Sequence, residues 1–246
     1  MLNTQFIGTV SSVLDAAWKA INNEKFLIFD SILASAQTTG RGQYHREWIS
    51  PKGNIYAALR LPYTPPFIGT EAAVAIGTWI TLALRKNGYP AFLKWPNDIV
   101  IEQNGRPAKV CGILLEERNH IIIAGIGVNI CDFPQSSQLR PNTALSASSL
   151  QAIAQLHGLI QPTVKNIWNL LLNQIYSSYT SSFGQICGWH PATAQCLLWK
   201  DSLVTLVNGE EQTSGILREI GTNGELILET GGVSRAYLRG SIRYCG

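Results

Sequence analysis

The segment AFLKWPNDIVIEQNGRPAKVCGILLEERNHIIIAGIGVN, residues 91–129, decides the fold class. It breaks into four apolar runs, AFLKW, DIVIE, VCGILLEE and HIIIAGIGV, each short for a helix and most rich in β-branched residues. Asn104-Gly105 and Asn119-His120 stand between runs as turn residues, so the runs fold back on one another as an antiparallel or mixed sheet. Upstream, NIYAALRL (54–61) reads as a further strand and the Pro-rich YTPPF (63–67) as a connection. EAAVAIGTWITLALRK (71–86) reads as a helix stopped at Asn87-Gly88, apolar on most sides and therefore central. Nearer the start, SSVLDAAWKAI predicts an amphipathic helix with Ser11 or Ser12 at its N-cap. FLIF (26–29) and ILAS (32–35) predict short buried strands.

Downstream the pattern becomes helical over 148–157 and again over 164–179, where Val164, Ile167, Trp168, Leu171, Ile175 and Tyr179 form a core-facing stripe. Beyond about Leu197, short strands are broken by Asn208-Gly209, Asn223-Gly224 and Gly231-Gly232, the signature of hairpins in a small β-unit. The expectation is an α+β chain: residues 1–196 form a mixed, largely antiparallel sheet with helices packed on it, and residues 197–246 a small β-domain.

Composition narrows the function. Only 14% of the 246 residues are charged, against about 25% in an ordinary protein, and 46% are hydrophobic, which excludes a mainly disordered chain. The formal net charge of +3 is too small for the basic face of a nucleic-acid protein, so chemistry on phosphate must rest on a few placed residues. The uncharged stretch between Glu71 and Arg85 is shorter than the roughly 20 residues that cross a bilayer. The N-terminus has no basic start, apolar run and small-residue cleavage site, so the expected location is cytoplasmic. Five scattered cysteines, Cys111, Cys131, Cys187, Cys196 and Cys245, contain no C-x-x-C pair and read as reduced thiols.

Four segments carry chemistry. In GRGQYHREW (40–48) glycines permit close backbone approach and two arginines can fork onto phosphate or carboxylate oxygens; the plainer alternative is a solvated turn. KWPND (94–98) sets a cation, an aromatic, an amide and a carboxylate at a strand end. KVCGILLE (109–116) places one lysine in an apolar strand, with a solvated edge residue as the alternative. GIGVN (125–129) lacks the third glycine and following helix of a dinucleotide site.

In this order the four segments resemble those of the biotin–protein ligases, and the resemblance covers nearly the whole chain. It implies a class II synthetase-like, or biotin ligase-like, catalytic domain followed by a small Src-homology-3-like barrel. It further implies a two-step reaction on a biotin carboxyl-carrier protein domain: biotin and ATP form biotinyl-5′-adenylate and pyrophosphate, then a carrier lysine attacks the anhydride. Lys109, Arg41 and Asp98 would be catalytic, with Lys109 bridging the two anionic reactants and Asp98 orienting the incoming amine and assisting its deprotonation. Biotin would meet Ser11, Ser12, Gln37, Gly40, Arg41, Gly42, Gln43, Trp48, Lys109 and Gly112. The nucleotide would meet Arg41, Arg46, Lys94, Trp95, Asn97 and Asn129, with a largely hydrated Mg²⁺ bridging phosphates and no metal ligand assigned.

The glycine-rich loop is expected to be disordered until ligand closes it over the adenylate. Two departures stand out: the family's Ser-Thr-Asn becomes Ser11-Ser12-Val13, and in the loop Gln43 and His45 replace an arginine and a glycine, weakening or altering retention of the adenylate. The family also includes members with an N-terminal DNA-binding module, for which this chain leaves no room, so no DNA partner is expected. The resemblance allows a homodimer through the sheet, and the apolar strand Ile121 to Ile123 fits either such a face or the interior. The competing readings are a lipoate or octanoate–protein ligase or transferase, a non-catalytic small-molecule binding module, and an interaction module centred on the C-terminal β-unit.

Overall fold

The computed structural model describes residues 2–103, 105–138, 145–181 and 188–245; the expected features at Asn104, Pro141 and Cys187 lie outside the described residues. One sheet organises the first two thirds of the chain. Its strands are β1 (Thr4–Val10), β2 (Ser31–Gln37), β3 (Ile55–Leu61), β4 (Ala91–Lys94), β5 (Asp98–Gln103), β6 (Arg106–Arg118), β7 (Ile121–Val128) and the short β8 (Ser146–Ala147). They lie in the order β1-β2-β3-β7-β6-β5-β4, with β8 beside β6. Only β1 with β2 and β6 with β8 are parallel, so the sheet is mixed and largely antiparallel. β6 and β7 are joined through Asn119 and His120, both at positive φ, a turn that matches the twist of its strands.

Alternation along β3 shows how both faces are buried. Ile55, Ala57, Leu59 and Leu61 enter a large core with α2 (Glu71–Lys86), α3 (Leu150–His157), α4 (Val164–Thr180) and α5 (Trp189–Cys196), while Tyr56 and Ala58 meet α1 (Val13–Asn22) on the opposite face. α2 buries eleven of its residues, as its composition requires, and Trp168, Leu171 and Ile175 of α4 are fully buried. β7 runs between β3 and β6, so the apolarity of Ile121 to Ile123 follows from its central place. Among the described residues no helix is long and apolar enough to cross a membrane.

The C-terminal strands β9 (Leu203–Asn208), β10 (Glu211–Ile220), β11 (Leu226–Thr230), β12 (Val233–Tyr237) and β13 (Ser241–Tyr244) form a second, antiparallel sheet in the order β12-β11-β10-β9-β13. Its Val204, Leu206, Leu217, Ile220, Leu226, Leu228 and Ile242 belong to the same buried cluster as α2 and β4. The two sheets therefore share one core.

Three local expectations are corrected. FLIF is not a strand: Phe29 has φ +65°, Leu27 and Ile28 face solvent, and the Asp30 carboxylate accepts from the Leu27 N–H to hold a turn. The edge strand β1 and helix α5 have no clear sequence signal, one being half polar and the other eight residues with weak periodicity. Ser12 does occupy the N-cap of α1, but its hydroxyl makes no cap bond; the Gln37 Oε1 accepts from the Val13 N–H at 2.8 Å instead.

Candidate active site

A cleft of about 1410 Å³ opens on the α1 face of the sheet, walled by α1, the loop 40–48 and the C-terminal sheet. Its floor is a cross-strand pair of glycines, Gly112 on β6 and Gly127 on β7. The Trp48 indole lies directly on them: a Cβ on Gly112 would stand 2.8 Å from the ring, and one on Gly127 2.7 Å. Any larger residue at either position would lift the aromatic off the sheet.

A β-bulge aims the central cation. β5 pairs Ile99 with Cys111 and Val100 with Lys109, so Val110 is an extra residue on β6. Lys109 and Gly112 are three apart and would face opposite ways in a regular strand. The bulge turns both to the cleft, where Lys109 Nζ lies 3.2 Å from the position a Gly112 Cβ would take and 5.0 Å from the Trp48 ring centroid.

Asp98, at the start of β5, binds that ammonium at 2.6 Å and the Lys94 ammonium at 3.8 Å. Burial would raise the Asp98 carboxyl, but Lys109 and Lys94, with Arg46 behind them, hold it below the usual carboxylate range. It is thus an ionised, weakly basic group, suited to orienting an amine rather than removing its proton. Burial pushes the Lys94 ammonium below the ordinary lysine range, helped by Lys109, Arg46 and Arg243 and opposed by Asp98. Asn97 and Asn129 anchor the surrounding backbone, their amides donating to the carbonyls of Ile113 (2.7 Å) and Ser148 (3.0 Å).

At the other end of the cleft Ser12 is 1% exposed and its hydroxyl has no hydrogen-bond partner among the described residues; neither has the Trp48 indole N–H. Buried polar atoms left unpaired cost about 1–3 kcal/mol each, so these two mark where a polar ligand group is needed. Gln37 stands beside them with both ends engaged, by the Val13 N–H and the Ser50 hydroxyl.

Several expected roles move. Arg41 does not face the lysines: it forks onto Asp15 of α1 (2.8 and 2.9 Å) and reaches Glu116 of β6 (3.0 Å), which pins the base of the loop. Its hydrogen bond holds the Asp15 carboxyl below the usual range. Arg41 thus acts as a clasp between the loop, α1 and β6, held by a carboxylate pair. Ser11 is exposed and contributes only its carbonyl, which accepts from Thr39. Gly40 lies under the loop, where a Cβ would strike the Trp48 carbonyl oxygen, so its lack of a side chain serves the packing of the loop. Trp95 is 1% exposed and turned away from the cleft, its indole N–H donating to the Gly224 carbonyl of the C-terminal sheet at 2.8 Å. The loop itself is a closed hairpin, with Arg41 bridged to Glu47 and the Gly42 N–H donating to the Arg46 carbonyl at 2.7 Å. Arg41, Gly42, Gln43, Arg46 and Trp48 all line the cleft.

The sequence reading missed the contribution of the C-terminal sheet. Arg243 on β13 lines the cleft, and its Nε is buried without a partner among the described residues. Trp199 and Tyr244 stack at the rim with centroids 5.7 Å apart. The only signal was the second arginine of RGSIRY, which nothing local distinguishes from a surface residue.

A glycine-floored cleft on a mixed sheet, with two lysines sharing one carboxylate, defines a class. Residues 11–130 match the model of the biotin/lipoate A/B protein ligase family. Within that class it is similar to the Biotin–[acetyl-CoA-carboxylase] ligase of Paracoccus denitrificans, 35% identical over 126 residues, 45% of this chain and 48% of that protein. It is also similar to the Bifunctional ligase/repressor BirA of Bacillus spizizenii, 38% identical over 146 residues, 53% of this chain and 42% of that one. The matched stretch thus spans about half or less of these relatives. Biotin protein ligase from Aquifex aeolicus, solved in complex with biotin and ATP, shares the fold with a TM-score of 0.76 at 22% identity, covering 99% of this chain and 98% of that one.

Proposed function

We propose that the protein attaches biotin to a lysine of a biotin carboxyl-carrier domain through biotinyl-5′-adenylate. The observation that carries this reading is the buried, unpartnered Ser12 hydroxyl at the closed end of a cleft whose other end holds Lys109, Lys94 and Asp98. An octanoyl chain would leave that hydroxyl unsatisfied, whereas a ureido ring offers it both donors and acceptors. Lipoate fails for the same reason at the same end.

In this reading Trp48 and the glycine floor hold the apolar middle of biotin, and Lys109 meets its carboxylate and the α-phosphate together. Arg46, Lys94 and Arg243 supply charge for the remaining phosphates. Asp98 receives the carrier lysine after pyrophosphate leaves. Among the described residues no cluster of three His, Cys, Asp or Glu could hold a metal ion, and Asp98 is already shared by two lysines. Mg²⁺ therefore does not fit as a protein-held ion and would arrive on the phosphates. The bent C-terminal sheet is read as the Src-homology-3-like barrel, with the domain boundary at 196/197, and the ATP requirement goes with a cytoplasmic location.

The test is biotin-dependent ATP–pyrophosphate exchange, run beside lipoate and octanoate, followed by labelling of a carrier domain. Exchange with biotin alone supports the proposal; none with biotin, or exchange with octanoate, defeats it. Ser12→Ala separates ligand binding from folding. Removing an unpaired buried hydroxyl leaves the ligand-free protein as stable or slightly more so, while biotin affinity falls about tenfold. Calorimetry and thermal melting read these opposite signs, and an unchanged biotin affinity would remove Ser12 from the site. ATP affinity should also show an alkaline limb that begins below the ordinary lysine pKa of about 10.4, because Lys94 loses its charge early. Titrating ATP affinity against pH in Lys94→Arg should abolish that limb.

A further inference from the structure

The KWPND motif contains a residue whose position the ligand chemistry does not explain. Trp95 stands between Lys94 and Pro96, both of which line the cleft, yet it points out of the site into the joint between the two sheets. There its indole N–H meets the carbonyl of Gly224, in the turn between β10 and β11. Two further contacts seat the same turn. The Thr70 hydroxyl at the head of α2 donates to the Asn223 carbonyl at 2.5 Å, and Gly224, at φ +78°, fits so closely that a Cβ would stand 2.6 Å from the Glu71 Cα. On the far side of that small sheet β13 carries Arg243 into the cleft.

We infer that Trp95 is a positioning residue: it fixes the C-terminal sheet to the catalytic motif so that Arg243 is held at the phosphate end of the cleft. This rests on the proposed ATP-dependent reaction. Side chains of one motif thus act in different ways, Lys94 and Asp98 on the reactants and Trp95 on the wall that faces them. The geometry favours this over a purely structural tryptophan for a stated reason. Its one polar atom is spent on a turn of the second sheet rather than on its own sheet, and the cation carried by that second sheet has a buried nitrogen without a partner among the described residues. The effect should fall on ATP, which has phosphates for Arg243, and not on transfer from a finished adenylate, which has lost its β- and γ-phosphates.

Three variants test this: Trp95→Phe, which removes the N–H; Gly224→Ala, which displaces the turn from α2 and leaves the motif's own residues unchanged; and Arg243→Gln. Each should raise KM for ATP roughly three- to tenfold in pyrophosphate exchange. KM for biotin, and carrier labelling from preformed biotinyl-adenylate, should stay near native. The double variant Gly224→Ala/Arg243→Gln should be no worse than Arg243→Gln alone, because the joint acts through that arginine. The inference is overturned if Gly224→Ala leaves KM for ATP unchanged, if transfer from preformed adenylate falls equally, or if the double variant multiplies the single effects. Should the native protein show no biotin-dependent exchange, the functional reading fails. Calorimetric binding of magnesium pyrophosphate to the same variants then decides the joint alone: weakened binding in Gly224→Ala supports it and equal binding defeats it.

Discussion

Lys109→Ala should lower biotin-dependent ATP–pyrophosphate exchange by about 10²–10³-fold while the protein stays folded. The magnitude is that of removing one preorganised charge from a site where two anions must meet, the situation in which electrostatic stabilisation contributes most. Preorganisation is visible in the structure: the bulge at Val110 aims the side chain, Asp98 holds the ammonium at 2.6 Å, and the Trp48 ring lies against it. Folding should survive because the Lys109 side chain is 28% exposed and its loss leaves Asp98 still beside Lys94. Circular dichroism and thermal melting check the fold in the same samples. Unchanged exchange would take Lys109 out of the mechanism.

Asp98→Asn should act on stability as well as on chemistry. The Lys94 side chain is 9% exposed, and Asp98 carries its only carboxylate partner among the described residues. Removing the charge leaves a nearly buried ammonium uncompensated, at a cost of about 2–4 kcal/mol. Chemical denaturation at pH 7 reads that difference, and equal unfolding free energies would show that Lys94 is not held by Asp98. The pH dependence has a defined sign. The Asp98 carboxyl is lower in the folded state than in the unfolded chain, so its stabilisation is complete above the unfolded value of about 3.9 and disappears as pH falls through the folded one. The gap between native and variant should therefore be flat across neutral pH and close only in acid. Transfer from preformed adenylate to the carrier should fall as well, through loss of orientation rather than loss of a base.

The residues that were legible in the sequence are those whose meaning is local. Asn119-His120 announces its hairpin because both residues tolerate positive φ, and the 71–86 helix announces its burial because it has almost no polar side. The four ligase-like segments converge on one cleft, with Lys109, Asp98, Lys94, Gly112 and Trp48 within it or on its floor. What was not legible was decided by partners distant in the chain. Arg41 lines the cleft, but its guanidinium is engaged by Asp15 and Glu116, 26 and 75 residues away, which no local pattern places beside it. Trp95 was assigned to the nucleotide because its hydrogen-bond acceptor, Gly224, is 129 residues downstream. Arg243 was overlooked because a cation on a short terminal strand has no meaning until the second sheet is docked. FLIF misled for the opposite reason: an apolar run was taken as a strand although two of its four side chains face solvent.

The bulge at Val110 has one more consequence, for how much this region can change over evolutionary time. In most strands a residue lost at one end is absorbed by a shift of the whole segment, and surface loops tolerate changes in length. Here deletion of Val110 would leave Lys109 two residues before Gly112 and still on the cleft side, whereas a regular pleat at the present length would send the ammonium to the opposite side of the sheet, among the helices. Side-chain identity at position 110 can drift among apolar residues, but the irregularity must persist for as long as lysine and glycine stand three apart, so spacing and bulge can change only together.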